Sequence, residues 1–328
     1  MSFPQAKLLL AEPRGFCAGV ERAIKVVELA LASFAAPVYV YHEIVHNGHV
    51  VKELKARGAI FVDKLDHEVP NGSIIVFSAH GVSPEVRRTA RAKSLRVIDA
   101  TCPLVTKVHA EAVRFASRGC TILLVGHADH DEVVGTVGEA PDQIVLVQSL
   151  DEAETVDVPD PTNVAVITQT TLSMDETERI FDVIRRRFPA ARFPSSADIC
   201  YATHNRQRAV KDIAARADLV LVVGSENSSN SMRLVEVART LGAEAHLIDD
   251  VSQIDSRWLS GARVVGVTAG ASAPETLVQE VIGYLRSLGP DEVETVEVVR
   301  EDVRFGPPPQ LPGGVSSTKA SKLLEIDL

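Results

Sequence analysis

Apolar residues along this chain follow two periods. Short β-branched runs, among them LLLA at 8–11, VYVY at 38–41, IIVF at 74–77, TILLV at 121–125, VAVI at 164–167, LVLVV at 219–223 and VVGV at 264–267, read as buried strands. Between them the apolar positions recur at three- and four-residue spacing, as in Val20, Ala23, Ile24, Val27 and Leu31, or Val210, Ile213, Ala214 and Ala217, which predicts amphipathic helices. Strands alternating with helices of this length predict an α/β fold of small parallel sheets with right-handed crossovers.

The pattern also repeats. Cys17, Cys102 and Cys200 each end a strand-like run and precede a helix, and each helix is followed by a strand and a polar loop. The registers agree: His46 lies 29 residues after Cys17, His130 lies 28 after Cys102, and Ser228 lies 28 after Cys200. A second strand and polar loop follow in each repeat, giving six loops, HEIVHN, SAHGVS, GHADHDE, TQTTLS, GSENSSN and TAGASAP. We therefore expect a trefoil of three pseudo-threefold-related units, residues 18–102, 103–196 and 197–286, with 1–17 packed on the third. Loops beyond the carboxyl ends of parallel strands carry the ligand sites of such sheets, so three units would surround one central site. Residues 287–328, which include GPPPQLPGG, have no counterpart in the repeat and read as a C-terminal tail.

Charge narrows the ligand. Of 328 residues, 34 are Lys or Arg and 44 are Asp or Glu, a net charge of −10. That balance argues against nucleic acid, whose binding needs a basic surface. It says nothing about a small anion, because a pocket's field comes from its own dipoles and side chains. No run approaches the roughly 18 apolar residues of a membrane span, and the amino terminus lacks a secretory apolar stretch, so a cytoplasmic protein is expected. Without export, the four cysteines are expected to be unpaired thiols available to metal.

Three cysteines in repeat register suit a soft metal centre. Fe-S clusters are held by thiolates, and a cluster with three protein ligands leaves one iron open. Zinc held by three cysteines and a histidine is the competing arrangement. Cys120 opens an apolar strand outside the register and reads as core. HEIVH at 42–46 matches the zinc-peptidase pattern H-E-x-x-H. It directly follows a strand and runs into Asn47-Gly48, a turn signal, so a helix bearing both histidines is not expected. The loops offer His46, His80, His130, Thr170, Ser228, Ser229, Asn230 and Ser272, with Glu132 beside His130 and no Lys or Arg. An anion there would be held by imidazoles, hydroxyls and helix N-termini. Some hydroxyls have a simpler reading as caps: Ser173 to Glu176 and Ser272 to Glu275 match capping boxes, and Ser228 to Ser231 would cap the next helix.

PRGFCAGV, HEIVHN, SAHGVS, DATCPLVTKVH, GHADHDEV, TQTTLS, DICYATHNRQ, GSENSSNS and VTAGASAPE, in this order over residues 8–286, resemble the hydroxymethylbutenyl diphosphate reductase family. The resemblance implies an oxidoreductase of isoprenoid biosynthesis that removes the allylic hydroxyl of its diphosphate substrate to give isopentenyl and dimethylallyl diphosphate. It implies a 4Fe-4S cluster on Cys17, Cys102 and Cys200, with one iron open. His46, His80, His130, Ser228, Ser229, Asn230 and Ser272 would hold the diphosphate, Thr170 would lie near the hydroxyl end, and Glu132 would donate the proton. A ferredoxin or flavodoxin would deliver electrons, since no flavin or nicotinamide fingerprint is present. Asp131 departs from the family, which commonly has proline before this glutamate. A zinc-dependent hydrolase of a phosphorylated molecule and a non-enzymatic Fe-S sensor are the alternatives.

Overall fold

The β-branched runs form strands and the spaced apolar positions form helices, in alternation for most of the chain. The structure, a computed structural model, describes residues 6–34, 37–194, 198–289 and 292–311. It begins with β1 (Lys7–Glu12), α1 (Ala18–Ser33), β2 (Val38–Tyr41), α2 (Gly48–Ala56), β3 (Ala59–Val62), β4 (Ile74–Phe77), α3 (Pro84–Ala92) and β5 (Arg96–Asp99). There follow α4 (Pro103–Ala116), β6 (Thr121–Val125), α5 (Asp131–Val137), β7 (Ile144–Val147), α6 (Leu150–Thr155), β8 (Val164–Thr168) and α7 (Met174–Arg187). The last stretch holds α8 (Tyr201–Ala214), β9 (Leu219–Val223), α9 (Ser229–Thr240), β10 (Glu244–Ile248), β11 (Val264–Ala269), α10 (Glu275–Ser287) and β12 (Glu292–Glu297).

The strands form three sheets among the described residues, ordered β10-β9-β11-β1-β12, β3-β2-β4-β5 and β7-β6-β8. All pairings are parallel. One three-strand order recurs in each: the first strand after a cysteine helix lies in the middle, the second on one side, the third on the other. The chain thus reverses direction across the sheet between β2 and β4, between β6 and β8, and between β9 and β11. At such a reversal two loops leave the carboxyl edge in opposite directions and open a crevice. The six polar loops are the ones that leave these six strands.

By compactness the chain groups into two units. One comprises Met1–Cys17, His46–Gly48 and Cys200–Val303, and contains the five-stranded sheet. Its strands β1, β9 and β11 are buried on both faces. In β1, Leu8 and Leu10 join one core with Leu219, Leu221 and Val265, while Leu9 and Ala11 join a second with Val210, Val220 and Leu234, as the period of two requires. The other unit comprises Ala18–Val45, His49–Ile199 and Arg304–Leu328, and contains the four- and three-stranded sheets.

The stretch read as a tail is corrected at its start. Its residues 292–297 form β12, an edge strand in register with all of β1. The sequence EVETVE is half glutamate and only partly buried, so its apolar signal is too weak to distinguish it from a linker. Further along, Gly306 accepts a hydrogen bond from Arg22 Nε at 2.9 Å and Leu311 is buried. The remainder of that stretch, 312–328, lies outside the described residues, as do 195–197 at the boundary of the second and third repeats. No helix among the described residues is long and apolar enough to cross a membrane.

Candidate active site

In the unit built on the five-stranded sheet, Cys17 lies between β1 and α1 as expected, whereas Cys200 follows an irregular segment and not the strand its sequence pattern predicts. Cys200 is the N-cap of α8, and its sulfur accepts the Thr203 amide at 3.4 Å and lies 3.2 Å from Thr203 Oγ1. Backbone N–H groups and the helix dipole there favour negative charge on the sulfur. Asn230 Nδ2 donates to Thr203 Oγ1 at 3.2 Å, and Asn230 Oδ1 accepts the Ala271 amide at 2.9 Å. The Ala271 carbonyl accepts the Cys17 amide at 3.2 Å. Cys17 and Cys200 are therefore joined through one buried polar chain that runs along the loops after β9 and β11.

Ser228 and Ser272 meet in the same unit. Ser228 caps α9 by accepting the Ser231 amide, and Ser231 Oγ donates to it at 3.0 Å. The predicted capping box at Ser272 does not form: the N-cap of α10 is Pro274, without a side-chain cap. Ser272 Oγ lies 2.9 Å from the His46 carbonyl, to which it donates, and 3.3 Å from Ser228 Oγ. One residue, Ala273, separates Ser272 from Pro274, and the intervening turn aims its hydroxyl at Ser228 instead of at the helix. Ser173, by contrast, caps α7 as its spacing predicts. The crowded meeting of these loops needs glycines. A Cβ at Gly224 or Gly270 would come within 2.2 or 2.0 Å of Ser231 Oγ.

The second unit carries the titratable groups. Cys102 is the N-cap of α4, and its amide donates to the Ala79 carbonyl at 2.9 Å, tying the cysteine to the loop that holds His80. His130 is the N-cap of α5, its Nδ1 accepting the Glu132 amide at 3.2 Å. In the neutral ring that bond leaves the proton on Nε2, a donor suited to an anionic oxygen. His80 and His130 are ring neighbours, their centroids 5.7 Å apart.

Glu132, one residue into the same helix, is 2% exposed. Its Oε1 accepts the Thr170 amide at 2.7 Å and its Oε2 pairs with Thr170 Oγ1 at 2.9 Å. Burial pushes its carboxyl up to about 7, against the two Thr170 bonds, with the charge of Asp198 adding to the rise. A carboxyl group poised there exchanges a proton near neutral pH, and its hydrogen-bonded partner Thr170 can pass that proton on.

HEIVH does not form a zinc-peptidase helix. His42 has a left-handed backbone, φ 56°, directly after β2, and α2 begins only at Gly48. Its ring has another role that spacing did not reveal: Nδ1 meets Asp131 Oδ1 at 2.7 Å, while Asp131 Oδ2 lies 3.8 Å from His80 Nδ1. The acid that replaces the family's common proline thus pairs with imidazoles. Its hydrogen bond raises the pKa of His42. That stabilisation is present below the ordinary histidine pKa and is lost as pH rises through the raised one. Asp131→Asn is expected to bring the His42 titration midpoint down in an NMR pH series. An unchanged midpoint would assign the shift to the Asp63 carbonyl, 3.3 Å from Nε2.

Cysteines at helix N-termini, paired loops at three sheet reversals and a buried acid hydrogen-bonded to a hydroxyl define an α/β enzyme with a group equipped for proton transfer. Residues 8–286 match the profile of the LytB protein family, and the chain belongs to that family. It is 60% identical to the 4-hydroxy-3-methylbut-2-enyl diphosphate reductase of Acidothermus cellulolyticus over 309 residues, 94% of this chain and 91% of the relative. It is 55% identical to the reductase of the same name from Leifsonia xyli, over 98% of this chain and 95% of that one. The solved structure of the E-1-hydroxy-2-methyl-but-2-enyl-4-diphosphate reductase from Plasmodium falciparum superposes with a TM-score of 0.90 at 38% identity, covering 98% of this chain and all of that one.

Proposed function

We propose that the chain reduces (E)-4-hydroxy-3-methylbut-2-enyl diphosphate to isopentenyl and dimethylallyl diphosphate; its relatives' names describe a reductase of that diphosphate. Two electrons and two protons enter, the allylic C–O bond breaks, and water leaves. One proton goes to the departing hydroxyl and the other to an end of the allyl fragment. The observation that carries this reading is the buried Glu132–Thr170 pair, an acid of pKa about 7 lying in family register.

The donor set fits an iron-sulfur cluster. Cys17, Cys102 and Cys200 are not in disulfides, and each directly precedes a helix. When bound, a 4Fe-4S cluster with one open iron supplies electrons singly and a Lewis-acidic place for the alcohol oxygen. The protein's own part is proton delivery and orientation. Protonated Glu132 passes its proton through Thr170 Oγ1 towards the hydroxyl, so that water is the leaving group. By motif match, His46, His80, His130, Ser228, Ser229, Asn230 and Ser272 bind the diphosphate. Holding that remote group fixes the reacting carbon and lowers the entropic part of the barrier. Imidazole N–H groups and hydroxyls do this without any lysine or arginine in the six loops. A separate redox protein, of the ferredoxin or flavodoxin class, supplies the electrons.

Anaerobically purified protein is expected to be brown, with about four irons per chain, and to consume the diphosphate alcohol when given a low-potential reductant. A colourless, zinc-loaded protein that hydrolyses phosphate esters would replace this reading with the hydrolase. A brown protein without turnover would favour the sensor.

A further inference from the structure

Each helix that follows a cysteine carries a basic residue five or six positions on: Arg22 after Cys17, Lys107 after Cys102 and Arg206 after Cys200. All three reach the segment that leads into another cysteine. Arg22 Nη1 donates to the Thr101 carbonyl at 3.0 Å and Nη2 to that of Asp99 at 3.4 Å, immediately ahead of Cys102. Lys107 Nζ pairs at 3.0 Å with Asp198, two residues ahead of Cys200, and the second oxygen of Asp198 accepts the Thr168 amide at the end of β8. Arg206 donates to Gly15 O at 2.7 and 3.0 Å and to Phe16 O at 3.1 Å, immediately ahead of Cys17. In sequence the contacts close a cycle, from first helix to second cysteine, second to third, and third to first.

These contacts are costly to maintain, which argues for a purpose. Arg206 is 1% exposed, with Glu301 at 3.1 Å as its acidic partner and backbone carbonyls as its other acceptors. Burying a guanidinium carries a desolvation penalty of several kcal/mol before partners offset it. Burial likewise lowers the pKa of Arg22, against the attraction of Cys102 and Asp99. Carbonyls of a lead-in segment fixed by a rigid fork of donors cannot swing, so the next sulfur is held in place.

We propose that Arg22, Lys107 and Arg206 are positioning residues, Arg22 and Arg206 by clamping backbone carbonyls and Lys107 by holding the Asp198 carboxylate, each in the segment that delivers another cysteine to the metal centre. The inference rests on the cluster reading above and adds to it a supporting layer of the kind that orients metal ligands. The three cations also favour the more negative, reduced state of a thiolate-bound cluster, so removing one shifts its potential downwards.

The test uses anaerobically prepared holoprotein and the variants Arg22→Gln, Lys107→Gln, Arg206→Gln and Arg206→Lys, with Arg239→Gln as a control. Arg239 also donates twice to a backbone carbonyl, that of Ala245, but no cysteine follows it. The readouts are the rate at which a chelator strips iron and the midpoint potential of the cluster. Clamp variants are expected to lose iron about ten- to a hundredfold faster and to show a more negative potential, with Arg239→Gln like the parent. Arg206→Lys keeps the charge but not the fork, so its potential should recover more than its iron retention. If the parent holds a cluster and the clamp variants retain it equally well, or if Arg239→Gln loses iron as fast as they do, the clamp proposal fails by itself. A parent without a cluster overturns the cluster reading too. Should Arg206→Gln fail to fold, the part-exposed Arg22 and Lys107 decide the matter, with circular dichroism as the check on folding.

Discussion

Replacing any one of Cys17, Cys102 or Cys200 by alanine is expected to cost at least ~10³ in kcat, about 4 kcal/mol of transition-state stabilisation, together with loss of the brown colour. On the proposed reading the three sulfurs are equivalent in this respect, because each repeat would supply one ligand. Cys120 provides the contrast. It is fully buried, its thiol donates to Asn163 Oδ1 at 3.3 Å, and it receives Arg192 Nη1 at 3.1 Å. Cys120→Ala should lower the melting temperature and leave iron content unchanged. Iron and sulfide analysis of the four single variants reads the difference. A variant at Cys17, Cys102 or Cys200 that keeps four irons and full turnover would remove that residue from the ligand set.

Glu132→Gln should affect activity and stability in opposite directions. Gln keeps the shape and an acceptor for the Thr170 amide but has no acidic proton, so kcat is expected to fall by about 10²–10⁴. For the parent, the protonated carboxyl is the active form. Its pKa of about 7 predicts turnover that is level at lower pH and declines as pH rises through that value. Stability has the same sign. The folded state holds this proton more tightly than the unfolded state, so stability is fully present below the unfolded value near 4.5 and diminishes as pH climbs through about 7. The difference is on the order of 3 kcal/mol at alkaline pH. Glu132→Gln has no such charge to bury and should melt later than the parent at pH 8 while turning over far more slowly. A variant that is equally active, or whose melting profile against pH parallels the parent's, would deny Glu132 the role of buried acid.

Much of this architecture was legible because it is written three times. The spacing from Cys17 to His46 recurs from Cys102 to His130 and from Cys200 to Ser228, and local alternation of apolar residues was enough to identify the strands that carry the loops. The order of strands within each sheet was not legible. Whether a crossover places β3 or β4 on a given side of β2 is decided by packing on the two faces, not by the pattern of either strand. The alternative reading of Ser272 as a cap fails because a serine three residues before a glutamate looks the same whether it caps a helix or faces another serine, and Pro274 takes the cap position. The His42–Asp131 pair escaped because its partners are 89 residues apart. The basic residues that follow the cysteines did leave a signal, a cation at the fifth or sixth position of the repeat, but helical residues of that kind ordinarily face solvent.

Strand β1 lies between β11 and β12, hydrogen-bonded to residues 264–267 on one side and 292–297 on the other. Among the described elements, the first to be made is therefore paired with two of the last, β11 and β12. Through nearly the whole of synthesis the apolar segment Leu8–Ala11 has neither neighbour, and its two edges and both faces are open to other chains. The sheet makes its longest closure at an interior strand, which favours slow, late consolidation of this sheet over a vectorial build-up from its earliest strand. Cys17 lies just beyond that strand, so the set of thiols is complete only when the carboxyl-terminal strands have docked. On the proposed reading, cluster insertion would then follow the docking of β11 and β12, and a chain ending before them would offer iron an incomplete seat.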